Sequence, residues 1–216
     1  MAQVQKIIDT LVKGVGANHP DVARALTVLA RCQKNRGMHH EAEESLKRAL
    51  EIWEAAGEQP SQSEIGKIND ALSQLADLYA EQNQNDKAIP LYERVLARQE
   101  ATYGADHPKV AATLSSLGEA FLQLEKYPEA EQFYQRALSI DEGKLGPDHQ
   151  SVLVSVLHLS TICVLTNRYD EAMVFMERGM KICDGLGEGP NIAKVRHQFE
   201  QLQAMAISQT KSSADA

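Results

Sequence analysis

The sequence has few of the residues that mark β-sheet proteins. Aromatic side chains make up 5% of its 216 residues, and it contains only 13 glycines and 7 prolines. Sandwiches and barrels depend on strand-forming aromatic residues and on many turns that use glycine or proline. This scarcity favours helices, and we predict an all-α fold class.

Cysteine is also scarce, and long apolar runs are missing. Cys32, Cys163 and Cys183 contain no CxxC pair, and their odd number does not suit a disulfide framework. We therefore expect reduced, buried thiols in a cytoplasmic protein. Residues 2–13 mix apolar with polar side chains, unlike a secretion signal. No apolar stretch approaches the roughly 20 residues that span a bilayer, so no membrane partner is expected.

Basic residues are outnumbered by acidic ones. Lys and Arg total 22 against 30 for Asp and Glu, which gives a net charge of −8. A protein that binds the nucleic-acid backbone regardless of sequence needs a basic face. The charge balance therefore argues against a nucleic-acid partner.

Motifs for catalysis and for ligand binding are missing as well. The sequence has no glycine-rich phosphate loop, no Gly-x-Ser-x-Gly elbow and no His-Glu-x-x-His pattern. His39-His40-Glu41 lacks the spacing of metal ligands. We expect no enzymatic activity, no cofactor and no metal site.

The sequence does contain a repeat. Gly104 to Leu145 opens with Gly-Ala-Asp-His-Pro, and the pattern begins again 42 residues later at Gly146. Four sets of equivalent positions run through the chain with steps of 46, 42 and 42 residues. They are Leu29, Leu75, Leu117 and Leu159; Ala42, Ala88, Ala130 and Ala172; Leu46, Tyr92, Tyr134 and Met176; and Arg48, Arg94, Arg136 and Arg178.

Each repeat has the apolar spacing of two helices. The breaks within the repeats, at 36–40, 83–86, 125–128 and 166–169, are so short that the two helices must be antiparallel neighbours. One pair cannot bury its own apolar face, so the pairs must stack into an α-solenoid. The predicted segments are a half-repeat helix at 2–14, repeats at 19–60, 61–103, 107–145 and 149–187, a capping helix at 190–207 and a disordered tail at 208–216.

The one irregular step comes from four extra residues in the segment 57–65. Ser61 is followed three positions later by Glu64, which is the capping-box pattern of a helix start. Four residues make close to one helical turn. We therefore predict that the first helix of the second repeat begins one turn early, at about Ser61, so that its apolar face keeps its phase.

Two other sets of polar residues recur with the repeat. His19, His107 and His149 stand at helix starts, which indicates capping rather than catalysis. A set of acidic residues recurs at helix ends, and we interpret it as a feature of the repeat rather than as an acid–base pair. The acidic set is Glu54, Glu100, Glu142 and Asp184.

The repeat resembles the tetratricopeptide repeat, in the 42-residue variety of the kinesin light chain family. The marks are Gly-Ala-Asp-His-Pro at 104–108 with variants at 16–20 and 146–149, and Arg-Ala-Leu-Ser-Ile at 136–140. The resemblance implies a right-handed superhelix whose first helices line a concave groove for extended peptides. The Asn pairs that contact the peptide backbone in that family are replaced here, so the resemblance does not extend to a role as motor adaptor. The replacements are Thr27-Val28, Ser73-Gln74, Ser115-Ser116 and Leu157-His158.

In that register, helical spacing predicts which side chains face the groove. The groove is basic in the first repeat, acidic in the second, small and polar in the third and apolar in the fourth. The predicted groove residues are Arg24, Thr27, Val28, Arg31, Lys34, Asn35, Asp70, Gln74, Asp77, Ser116, Glu119 and His158.

Several of these positions allow two interpretations. The basic cluster is either a solvated face or a docking point for an acidic peptide, because arginine suits carboxylate geometry. The apolar helix of the fourth repeat is either covered by residues 190–207 or open as an anchor pocket. Trp53, the only tryptophan, stands near a helix end and is either a packing residue or a binding hot spot, and we favour packing.

Two functions remain open on the sequence. The first is a non-enzymatic scaffold that binds an extended, acidic segment of a partner protein in its groove. The second is a structural role through self-association, or docking within a larger assembly. For the second, the apolar stripe of residues 2–14 provides an edge for a weak homo-oligomer. The protein is otherwise expected to be a monomer.

Overall fold

The computed structural model describes residues 2–55, 62–187 and 189–214, and the elements found there are all α-helices. None of the helices in these ranges combines the length and apolar character that crossing a membrane requires. The helices are α1 Ala2–Val15, α2 Pro20–Lys34, α3 His39–Ala55, α4 Gln62–Glu81, α5 Asn85–Tyr103, α6 Pro108–Gln123, α7 Tyr127–Leu145, α8 Gln150–Leu165, α9 Tyr169–Leu186 and α10 Pro190–Ala214.

The chain forms two compact units that divide between Thr102 and Tyr103. In the first unit α2 packs against α3, and α3 against α4. In the second unit α6 packs against α7, α7 against α8, and α8 against α9. The fold class is therefore an all-α solenoid of helix pairs, as the repeat predicts.

Each turn between the two helices of a pair contains one residue with positive φ. The N–H of the following residue then donates to a carbonyl five residues back, as Met38 does to the Gln33 oxygen at 3.0 Å. This is the Schellman end of a helix, which satisfies carbonyls that the helix itself leaves open. The four positive-φ residues are Gly37, Asn83, Glu125 and Asn167, with φ of 73°, 58°, 58° and 61°.

The recurring histidines cap helices, as the sequence predicts. In His19, His107 and His149 the Nδ1 atom accepts the backbone N–H two residues further on, at 3.1–3.2 Å. Each ring therefore satisfies one of the N–H groups that the first helical turn leaves without a partner. This contact accounts for the repetition of histidine without any catalytic role.

The recurring alanines lie in the core between packed helices. Ala42, Ala88, Ala130 and Ala172 are all fully buried. The larger side chains of the neighbouring recurring position are also buried, and they belong to Leu46, Tyr92, Tyr134 and Met176. A methyl group allows close backbone approach, and the larger neighbours fill the remaining space to the density of a protein core.

The first helix of the second repeat, α4, is longer than the first helices of the other repeats. α4 has 20 residues, whereas α2 has 15 and α6 and α8 have 16 each. It begins at Gln62, four residues before the position equivalent to Pro108. The predicted extra turn is confirmed, although Ser61, its predicted first residue, lies outside the described residues.

Three of the recurring acidic residues at helix ends form ion pairs with an arginine of the repeat or helix that follows. Arg94 of one repeat contacts Glu54 of the preceding repeat at 2.8 Å, and Arg178 contacts Glu142 in the second unit. Arg196 of α10 contacts Asp184 at 2.8 Å, in the place where a further repeat would supply its arginine. These acids are therefore features of the stacking, as predicted, and not an acid–base pair.

The last helix makes its closest described packing contact with α9 through Phe199. Phe199 is fully buried, and a Cβ atom on Gly179 would lie 2.1 Å from its Cζ atom. The aromatic ring therefore lies directly on the backbone of α9. Burial of this ring and of Ile192 and Ala206 places one face of α10 in the core of the second unit.

The apolar face of α8 is covered in part. Leu157 and Val164 belong to the same buried cluster as the residues of α10, whereas Val154 and Leu165 remain 45% and 47% exposed. α10 also continues past residue 207, so the segment 208–216 predicted as a disordered tail is helical as far as Ala214. That segment contains neither Gly nor Pro to end the helix.

The three thiols are free, and two of them are buried. Cys163 and Cys183 lie in the core of the second unit, while Cys32 is half-buried. Burial raises the pKa of the Cys163 and Cys183 thiols, because the apolar surroundings disfavour the thiolate. These two residues therefore act as small apolar side chains.

We expect Gly179→Ala to lower the free energy of unfolding by about 1–3 kcal/mol, because the added methyl group overlaps the Phe199 ring. Gly185→Ala is the matched control, since it lies in the same helix with open space around its Cβ position. The control is expected to be neutral or slightly stabilising, because alanine favours helix. Urea unfolding monitored by circular dichroism measures both changes, and equal stabilities would contradict the close contact.

Candidate functional site

A cleft in the first unit brings together half of the predicted groove residues. It has a volume of about 210 Å³ and lies between α2 and α4. We call it the Trp53 cleft, because the tryptophan at the end of α3 forms part of its lining. The lining consists of Arg24, Thr27, Val28, Arg31, Trp53, Lys67, Asp70 and Gln74.

The Trp53 cleft is positively charged. Its lining carries three cationic side chains and one carboxylate, that of Asp70. Arg24 forms an ion pair with Asp21, one turn earlier in α2. Arg31 and Lys67 have no ion-pair partner in the part of the chain that the structure describes. The cleft therefore presents two cations available to a ligand.

Trp53 serves both the core and the cleft. It is 4% exposed, in agreement with the packing role predicted for it. Its indole N–H finds no acceptor within the described ranges. A buried donor without a partner costs free energy, so this N–H is the least satisfied group of the lining.

Lys67 and Trp53 are the two cleft residues that the sequence did not predict. Lys67 stands three residues before Asp70, on the same face of α4, and lies at the position equivalent to Lys109 of α6. Trp53 comes from a second helix, whose residues were not considered for the groove. A usable signal existed, since the equivalent positions hold the smaller Gln99, Asp141 and Cys183.

The remaining predicted groove residues of the first unit already make contacts within or between its helices. Lys34 and Glu81 form an ion pair of 2.9 Å between α2 and α4. Asn35 ends α2, where its backbone N–H donates to the Arg31 oxygen at 3.1 Å. Asp77 accepts a hydrogen bond of 2.6 Å from the Tyr92 hydroxyl. Their side chains or backbone groups are therefore already engaged.

A second polar group lies in the second unit, and we call it the Glu119 cluster. The Tyr134 hydroxyl donates to Oε2 of Glu119 at 3.1 Å, and Nδ1 of His158 lies 3.5 Å from the same oxygen. The Tyr134 and His158 rings stack at 4.7 Å with an angle of 10°. The helices α6, α7 and α8 thus each contribute one residue. Ser116 stands apart and donates to the Ala112 oxygen at 3.3 Å.

Burial dominates the titration of this cluster. It raises the pKa of Tyr134 far above its usual value, and the Glu119 carboxylate adds to that rise. Burial lowers the pKa of His158, while Glu119 opposes the shift. The imidazole is therefore neutral at pH 7, and the phenol remains a hydrogen-bond donor.

A tyrosine–carboxylate bond recurs in the two middle repeats. Tyr92 donates to Asp77, and Tyr134 donates to Glu119 from the equivalent positions. In the first repeat the same two positions hold Leu46 and Arg31. Because leucine offers no hydroxyl group, Arg31 has no such anchor and projects into the Trp53 cleft. Within the described residues, no group of three or more His, Cys, Asp or Glu side chains is placed to hold a metal ion.

Family models for the tetratricopeptide repeat match most of the sequence. One matches residues 67–143 and 122–184, and a second matches residues 23–52. A search of curated proteins found no match.

Solved structures share this fold at low sequence identity. BtubC (BKLC) of P. vanneervenii is 22% identical with a TM-score of 0.71, and the alignment covers 98% of this chain and 87% of that one. A putative kinesin light chain from Podospora anserina with nearly identical TPR-like repeats is 23% identical with a TM-score of 0.73, at 91% and 92% coverage. A Rap protein complexed with competence and sporulation factor is 18% identical with a TM-score of 0.66, at 89% and 54% coverage. At these identities the likeness concerns the fold alone.

We expect stability to fall as the pH drops from about 7.5 to about 5.5, in part through His158. The unfolded imidazole titrates near 6.5 and the folded one lower, so the unfolded state gains its proton first. His158→Gln removes this contribution, and the equivalent position in the second repeat already holds Gln74. Urea unfolding at both pH values measures the loss, which should be smaller in His158→Gln than in the unchanged protein.

His40→Gln is the control for this experiment, because the His40 side chain is 81% exposed. It should lose as much stability on acidification as the unchanged protein. An equal loss in His158→Gln would contradict the role of the buried imidazole.

Proposed function

The chain belongs to the tetratricopeptide repeat family, and we propose that it is a protein-interaction scaffold that binds an extended segment of a partner protein. The Trp53 cleft is the binding site in this proposal. The observation that carries it is the pair of unpaired cations, Arg31 and Lys67, beside a half-open cleft with an apolar wall at Val28. Proteins of this repeat fold generally act as interaction modules, and the Rap neighbour is itself complexed with a factor.

The charge of the cleft favours an acidic partner segment. Arg31 and Lys67 approach from two different helices, so carboxylates of the segment have donors on both sides. Asp70 repels a second carboxylate next to it and is an acceptor for a backbone or side-chain N–H. These opposite charges give the bound segment a preferred position along α4.

The proposed role is non-enzymatic. Glu119 and His158, the carboxylate and imidazole that lie closest in the second unit, are both occupied by Tyr134. The Glu119 cluster therefore supports a stabilising role for these side chains or a polar contact for a bound segment. The three free thiols support a reducing compartment such as the cytoplasm.

Charge reversal tests the peptide site. We expect Arg24→Glu with Arg31→Glu to weaken the binding of a degenerate pool of acidic peptides by about tenfold or more at low salt. The difference should shrink as salt rises, because the lost contribution is electrostatic. Fluorescence anisotropy of the labelled pool measures the affinity across the salt series.

The matched control is Lys13→Glu with Arg36→Glu, which changes the net charge equally at two exposed positions outside the cleft. The control should retain the affinity of the unchanged protein. Affinity lost equally in both double variants would indicate a long-range effect of net charge, and unchanged binding in the first would remove the Trp53 cleft from the proposal.

Self-association is the second candidate function. It is favoured by exposed apolar side chains on α1, where Ile7, Val12 and Val15 are 54%, 36% and 48% exposed. Large apolar side chains exposed on one helix are a feature of protein contact surfaces. Two copies joined through α1 would cover these side chains.

Light scattering at several concentrations separates the two candidates. If α1 forms a contact between copies, the weight-average mass rises with concentration, and Ile7→Asp holds it at the monomer value. Thr10→Asp is the control, as a neighbouring exposed position on α1 that carries no apolar side chain. A mass independent of concentration would exclude self-association through this helix.

A further inference from the structure

Three side chains that line the Trp53 cleft carry hydrogen-bond donors with no partner among the described residues. Arg31 and Lys67 have no ion-pair partner among the described residues, and the Trp53 N–H has no acceptor there. The three residues come from three helices, α2, α3 and α4, and all of them line one cleft. We propose that the Trp53 cleft binds a phosphoryl group on a phosphorylated side chain of the partner segment; this inference rests on the proposed peptide-binding function.

The number and type of donors match a phosphoryl group. A guanidinium offers a rigid fork of N–H donors, an ammonium offers three more, and an indole offers one. A phosphorylated side chain carries three acceptor oxygens and a charge of about −1.5 to −2 at pH 7. A carboxylate has two oxygens and a single charge. Three donor groups on separate helices are therefore served better by the tetrahedral phosphoryl group.

The charge of the lining agrees with this assignment. Three cationic side chains and one carboxylate line the cleft, and Arg24 is already paired with Asp21. Arg31 and Lys67 therefore carry the contact. A dianion neutralises both of these cations, whereas a single carboxylate leaves one of them without a counter-charge.

The cleft is large enough for such a side chain. A cavity needs a volume of only about 10–15 Å³ to hold one water molecule. The Trp53 cleft, at about 210 Å³, therefore accommodates a phosphorylated serine side chain together with bridging water. It is too small for a folded partner domain. The remainder of the segment therefore lies outside the cleft, along the exposed surface of α2 and α4.

Asp70 is the one lining residue that opposes an anion. Its carboxylate adds a negative charge to the lining without an ion-pair partner in the described part of the chain. Asp70→Asn removes the charge and keeps the shape of the side chain. A phosphoryl ligand should consequently bind more tightly to this variant, by about threefold to tenfold.

Trp53 is the only tryptophan of the chain, so its fluorescence reports directly on the cleft. The probes are a short peptide pool with one central phosphoserine and degenerate flanks, the same pool with serine, the same pool with glutamate, and inorganic phosphate alone. We expect the phosphoserine pool to change the emission of Trp53 and to bind about tenfold more tightly than the glutamate pool.

Substitutions then assign the contacts. Arg31→Gln with Lys67→Gln should remove the preference for the phosphoserine pool, while the control Lys13→Gln with Arg36→Gln keeps it. Trp53→Phe keeps an aromatic ring but loses the N–H donor, and anisotropy of the labelled pool replaces the lost fluorescence. This variant should bind the phosphoserine pool more weakly than the unchanged protein does, with a smaller loss of affinity for the serine pool. Circular dichroism checks that the variant remains folded.

The outcomes separate this inference from the proposed function. Equal affinity for the phosphoserine, glutamate and serine pools would overturn the phosphoryl site and leave peptide binding standing. Binding of inorganic phosphate as tight as that of the phosphoserine pool would assign the ligand to a free anion and overturn the peptide assignment. No response of Trp53 to any phosphorylated probe, with an intact fold, would overturn the inference outright.

Discussion

Close approach of helices at four alanines is the constraint on which the structure depends. Ala42, Ala88, Ala130 and Ala172 are fully buried, and each allows a neighbouring helix to come near its backbone. Larger side chains beside them, such as Tyr134, then fill the space, and a Cβ atom on Gly118 would lie 2.8 Å from that ring. The same relation joins Gly179 to Phe199 at the last helix. Because each pair exposes an apolar face until the next element covers it, stacking follows from this packing.

Much of the fold was predictable because the same pattern of two helices recurs several times in the sequence. The steps of 46, 42 and 42 residues located the helix pairs, and the four extra residues correctly predicted one extra turn in α4. The histidine caps followed from their recurrence at helix starts. The positive φ of Glu125 was not predictable in this way, because glutamate carries no preference for that conformation and the turn imposes it. The continuation of α10 to Ala214 was missed, because polar composition indicates solvent exposure and does not by itself end a helix.

The candidate site was predictable only in part, because spacing along one helix gives no information on the neighbouring helix. Arg24, Arg31 and Asp70, which the spacing assigns to the groove, line the Trp53 cleft. Trp53 was missed because it reaches the cleft from a second helix. Asp77 and Glu119 were expected to face a ligand, but their carboxylates accept hydrogen bonds from Tyr92 and Tyr134. Such bonds between helices decide which charges remain available, and they depend on pairs of positions that no single-helix pattern shows.

The longer α4 has a consequence for how this fold tolerates insertions. Each residue added inside a helix rotates the following side chains by about 100°, so four residues restore the original direction to within about 40°. An insertion of two residues would turn the apolar face by about 200° and expose it to solvent. Lengths of the first helices can therefore change in whole turns, as the 20 residues of α4 illustrate. An insertion of this size lengthens a helix while the hydrophobic core of the repeat stays in register.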